Sequence, residues 1–202
     1  MANTDKKAKG QWEKSATAYS YYRHYLDSKV DMFNLSIIDL LFISNFKGGS
    51  ATINEPETTL GKKLNQYCFT LRKIRDQFGQ KSLSELYKHE VESLIDLCNQ
   101  FLMLTKGTNS KIDGFGPSYA STILHFHYPS LIPILDRRAL NGANIKDGVE
   151  TYRGQVKEIE KHYGKLIKYF YGCLRMNSGQ SIRDLDKELF IKPLTEPYKW
   201  KK

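Results

Sequence analysis

No stretch of this chain stays apolar for long. The longest such run, around Ile37 to Ile43, is broken by Asp39, far short of the ~20 residues a bilayer span requires. The opening MANTDKKAKG shows no basic–apolar–small leader, so no membrane partner is expected and the default location is cytoplasmic, near the nucleoid. Cysteine is sparse: Cys68, Cys98 and Cys173 lie 30 and 75 residues apart, which excludes a compact zinc or iron–sulfur site built by this chain alone. The three thiols are expected to act as buried small hydrophobes, and neither metal nor cofactor is called for. Period-two alternation over a useful length is missing, which argues against a sheet. Internal repeats are missing as well, and low complexity is confined to the lysine-rich ends.

What remains is helical. Leu64, Tyr67, Cys68, Leu71, Ile74 and Phe78 recur at three- and four-residue steps, as do Val91, Leu94, Ile95, Cys98, Phe101 and Leu102. Val156, Ile159, Tyr163, Leu166, Ile167, Phe170 and Leu174 extend the same pattern over a further segment, predicting helices with one buried face each. Ser82 and Glu85 have the spacing of a capping box, while KGGS after Asn45 and SGQS around Gly179 read as breakers. The expectation is an all-α chain of roughly eight or more helices. Its 202 residues suffice for one large domain or two small interleaved ones. The aromatic cluster YSYYRHY at residues 19–25 is expected to pack on neighbouring helices rather than to stack on bases.

Charge narrows the class of partner. The net charge is +9, and it is uneven. Residues 1–29 carry six Lys/Arg against three Asp/Glu and residues 141–202 carry thirteen against eight, whereas residues 30–140 are nearly balanced at twelve against eleven. Positive flanks around a near-neutral middle suit a polyanion.

The segment KIDGFGPSYASTILHFHYPSLIPILDRRAL, residues 111–140, concentrates the chemistry. Gly114 and Gly116 frame Phe115, which can plug inward, and Pro117 stands where a helix begins and its missing N–H is harmless. Such a turn aims backbone N–H groups and a helix N-terminus outward at one point, a geometry that suits a phosphate and reads no base. Asp136, just before Arg137 and Arg138, has the position of an N-cap. The two arginines read as phosphate contacts or ion-pair partners.

This segment resembles the helix-hairpin-helix (HhH-GPD) DNA glycosylase superfamily, which includes endonuclease III. IDGFGPSYA matches its hairpin and PILDRRAL matches its proline loop and aspartate, with Ser118 and Asp136 separated by the 18 residues of the endonuclease III type. The resemblance implies a two-part helical fold. Residues 30–135 would form a six-helix, barrel-like half with the helix-hairpin-helix at about 94–127, and residues 1–29 with 136–202 would form the other half. It implies a monomeric enzyme acting on double-stranded DNA, with Asp136 catalytic and with Lys111, Gly114, Phe115, Gly116, Ser118, Asn45, Lys47 and Arg137 contacting DNA. Asn45, Phe46 or Lys47 would fill the gap left by a flipped base. Family members that also cleave the strand carry lysine where Ser118 stands, so the implied chemistry is monofunctional base excision without lyase activity. A non-catalytic helix-hairpin-helix DNA-binding protein is the alternative. Asp39 is expected to cap with Ser36 or lie on the surface, with base protonation as its second reading. His125 and His127 are expected to pack or lie on the surface, with a base pocket as theirs.

Overall fold

The computed structural model describes residues 5–49, 52–153, 155–177 and 179–199. Among these the chain is mostly helical. Eight α-helices run in order: α1 (Lys6–Ser28), α2 (Ile37–Phe46), α3 (Glu57–Phe78), α4 (Lys88–Met103), α5 (Pro117–His127), α6 (Arg137–Gly142), α7 (Tyr163–Met176) and α8 (Ile182–Phe190). Two 3₁₀ turns, Leu83–Glu85 and Ile159–His162, and one short hairpin complete the order.

The helices begin where the sequence supplies caps. Asp5 accepts the Lys7 and Ala8 N–H groups at the head of α1. Reciprocal capping boxes open α2 (Ser36 and Asp39) and α8 (Ser181 and Asp184), each satisfying donors the first helical turn leaves unpaired. Ser82 and Glu85 form the expected box, though it opens a 3₁₀ turn rather than an α-helix. The periodic residues of α3 and α4 are all buried, and they join the cores of α5 and α7 in one continuous apolar cluster.

Three expectations need correction. The helix expected from Val156 begins only at Tyr163: Val156 lies in β2 (Gln155–Val156), which pairs antiparallel with β1 (Thr151–Tyr152), and Ile159 opens a 3₁₀ turn. The break lies at Glu158, whose φ of 45° is left-handed and cannot continue a right-handed helix. Between residues 30 and 135 there are four α-helices and one 3₁₀ turn among the described residues, not six helices. The stretches after α2 and after α4 are largely turns and irregular backbone. Of the cysteines, Cys68 and Cys98 are buried while Cys173 is partly exposed, so only the first two serve as core.

Packing brings the ends of the chain together. Helix α1 lies against both α2 and α8, α6 packs on α8, and α7 packs on α4. The α6–α8 approach depends on Gly142, where an added Cβ would fall 2.5 Å from the Leu189 carbonyl oxygen and 2.6 Å from its Cα. No helix among the described residues is long and apolar enough to cross a membrane.

Candidate active site

Asp136 caps α6. Its Oδ1 accepts the Ala139 N–H at 2.8 Å, and its Oδ2 lies 3.8 Å from Lys47 Nζ, with both side chains only 16–18% exposed. The loop that delivers it is fixed from α5. Buried Ser121 accepts the Leu135 N–H at 3.0 Å through Oγ and lies 2.9 Å from the Ser118 carbonyl, to which it donates. One hydroxyl thus ties the hairpin helix to the residue before Asp136.

Asp136 lines a cavity of about 450 Å³, within the size range of small-molecule sites. The walls come from four separate parts of the sequence: α1 from Gln11 to Tyr21, the end of α2 with Asn45, Phe46, Lys47 and Gly48, the Ile134–Asp136 loop, and Arg183, Asp186 and Phe190 of α8. All three gap-filling candidates border the same opening as Asp136. Lys111, Gly114, Phe115, Gly116 and Ser118 do not line it.

The hairpin is a separate feature. Phe115 is buried against Tyr119, as the plug reading expects. Gly114 has φ +76°, and an added Cβ would meet the Thr52 carbonyl oxygen at 3.1 Å, so the turn needs glycine there for its own packing. The Asp113 N–H donates to Glu55 at 3.1 Å, and Lys111 pairs with Asp113 at 3.1 Å on the surface. Gly116 caps α5 with nothing within 4 Å of an added Cβ.

The arginines after Asp136 differ. Arg138 bridges to Asp5 at 3.1 Å and donates to the Phe190 carbonyl, joining α6 to both ends of the chain. Arg137 is partly buried, and burial followed by the Arg138 charge lowers its pKa.

Asp39 is fully buried, so its surface alternative is set aside. The Ser36 N–H and hydroxyl, the Lys29 ammonium and the Tyr22 hydroxyl all donate to it at 2.7–3.0 Å. That saturation makes it a cap and a core ion pair. His125 and His127 are buried too. His125 stands between Tyr19 Oη and the Ile132 carbonyl, and burial pushes its pKa down to about 3. His127 stands between the Ile123 and Met32 carbonyls. Tyr22 stacks on Phe42, and Tyr19 packs on Phe46 and Phe126; Tyr21 alone of these three is largely exposed, at the cavity.

The sequence reading missed the α8 wall. The Arg183 guanidinium lies over the Trp12 ring at 3.7 Å and the Tyr19 ring at 4.4 Å, and donates to Asp186 Oδ2 at 3.0 Å. Asp186 is 2% exposed. Burial first, then the Asp136 charge, push its carboxyl up to about 7 against the pull of Arg183 and Lys47. A signal was present: Ile182, Leu185, Asp186 and Leu189 form one buried stripe on α8, so an aspartate holds an apolar position. Among the described residues no group of three or more His, Cys, Asp or Glu could hold a metal ion.

Comparisons with protein-family models, with curated proteins and with solved structures find no match for this chain.

Proposed function

We propose that this chain is a monofunctional DNA N-glycosylase acting on double-stranded DNA as a monomer at the nucleoid. It would flip an altered or mismatched nucleotide into the cavity and hydrolyse its N-glycosidic bond. The observation that carries the reading is the position of Asp136, which lines a 450 Å³ cavity together with Asn45, Phe46 and Lys47. In this reading the residue assigned to the chemistry and those assigned to the vacated stack face one opening, and its lining residues come from both of the expected halves.

The chemistry asks for little more. As the bond from C1′ to the base lengthens, the sugar acquires cationic character. A carboxylate held in a partly buried site stabilises that charge and accepts a proton from the attacking water. Lys47 Nζ lies 3.8 Å from the Asp136 carboxylate, within ion-pair range. Serine at 118 offers no amine where the resemblance places the lyase lysine, and the Lys47 ammonium at the cavity is paired with Asp136, so the reading is hydrolysis without strand cleavage. Gly116, open on its outer side, would let a DNA phosphate approach the hairpin backbone.

The alternative, a DNA-binding protein without catalysis, draws on the bond from Ala139 N–H to Asp136, which gives that side chain a purely capping purpose. A panel of duplexes, each carrying one altered or mismatched base, separates the two. Incubation with excess protein followed by alkali should reveal abasic sites in at least one duplex. Salt-sensitive binding to every duplex with no base release would leave only the binding protein, and no binding at all would overturn both.

A further inference from the structure

Asp186 is a second carboxyl group at the same cavity, and the proposed reaction as described so far gives it no task. Its Oδ2 is committed to Arg183 at 3.0 Å, while its Oδ1 is buried without any hydrogen-bond partner. Buried polar atoms without partners are rare in folded proteins. An ionised carboxylate here would leave a desolvated oxygen unsatisfied, and a protonated one would carry an O–H with no protein acceptor. The second state is completed by a ligand that brings an acceptor atom into the cavity.

Resting on the glycosylase reading, we propose that Asp186 is the general acid that protonates the departing base. As the bond from C1′ to the base nitrogen breaks, its electron pair passes to the base, and the Asp186 O–H proton passes to a ring nitrogen or carbonyl oxygen of that base. Asp136 takes a proton from water as the water oxygen bonds to C1′. The products are the free base and an abasic sugar with a 1′-hydroxyl, and solvent returns the proton from Asp136 to Asp186. The substrate class follows: bases that are neutral in DNA, which leave poorly as anions, rather than cationic bases that depart without protonation.

The surroundings support the division of labour. Tyr19 from α1, Lys47 after α2, Asp136 before α6 and Arg183 on α8 are the charged and titratable groups that act on Asp186. Burial and the Asp136 charge favour its protonated form up to about pH 7, and the two cations oppose them. A carboxyl that its surroundings favour in the protonated form, beside a second carboxyl at the same cavity, offers one site both an acid and a base.

Two measurements test this. The first needs no substrate: the carbon-13 carboxyl signal absent from Asp186→Asn is followed through a pH titration of the labelled protein. A midpoint near 7 that falls in Asp136→Asn is expected; a midpoint below about 5, in the range of an unperturbed aspartate, overturns the assignment. The second uses the duplex found by the base-release panel. Asp186→Asn should slow single-turnover excision of a neutral base on the order of 100-fold and abolish the fall in rate above neutral pH. Excision within threefold of wild type, with the pH profile unchanged, overturns the Asp186 assignment alone. Titration near 7 with no duplex cut removes the glycosylase reading and the acid role with it.

Discussion

Replacing Asp136 by asparagine separates capping from chemistry. Asparagine keeps the oxygen that accepts the Ala139 N–H at 2.8 Å, so α6 should keep its cap. The lost ion pair with Lys47 spans 3.8 Å between side chains 16% and 18% exposed; pairs of this kind contribute at most about 1 kcal/mol net after desolvation and screening. Urea denaturation should therefore show a loss of stability no greater than about 1 kcal/mol. Catalysis should respond on a different scale. Removing a full negative charge beside a developing sugar cation, in a site largely shielded from water, costs about 4 kcal/mol or more, roughly three decades in rate. Duplex affinity should hold or rise slightly, because a carboxylate near phosphates repels them. The assay is single-turnover base release with protein in excess, beside a binding titration on the same duplex. A folded Asp136→Asn protein that releases base at near wild-type rate would show that the aspartate is only a cap.

Gly116→Asp should weaken binding to every duplex by a similar factor, about tenfold or more in a fluorescence titration at fixed salt, because it adds an anion where a phosphate is expected. Gly116→Ala, which meets nothing within 4 Å, should bind nearly as wild type. Gly142→Ala should lose about 2–3 kcal/mol in urea denaturation, since its Cβ would lie 2.5–2.7 Å from Leu189 and α8 must shift. Asp186 should make stability pH-dependent. Its folded-state pKa is raised to about 7, so its favourable contribution is full below about pH 4 and is lost as pH rises through 7. Between pH 5 and pH 8 wild type should lose on the order of 2 kcal/mol relative to Asp186→Asn, read from denaturation midpoints at the two pH values.

How much of this was legible depended on range. Leu64 to Phe78 and Val91 to Leu102 announced α3 and α4 because a helix repeats its contacts every three or four residues, and all twelve named positions are buried. The pattern failed at Val156 and Ile159, which keep helical spacing but lie on either side of the left-handed Glu158. Backbone conformation overrode periodicity there. Asp136 could be singled out from its neighbours in sequence, whereas Asp186 and Arg183 could not be assigned to the same place. Their partners Trp12, Tyr19 and Lys47 lie more than 130 residues away, and no local rule spans that distance. Asp186 within the stripe Ile182, Leu185 and Leu189 could have raised the question, since charge on an apolar face is rarely idle.

The cavity has one wall near the start of the chain, at Gln11 to Tyr21, and another near its end, at Arg183 to Phe190. During synthesis the site therefore stays open until residue 190 has left the ribosome. Until then Trp12 and Tyr19 lack the guanidinium that covers them. An unfinished chain, or one cut ahead of α8, keeps Asp136 and the hairpin but lacks the enclosure. If the proposed function holds, such a chain would bind DNA without acting on it. On the proposed function, competence would wait for α8, and a cut near Gly179, between α7 and α8, would remove that wall.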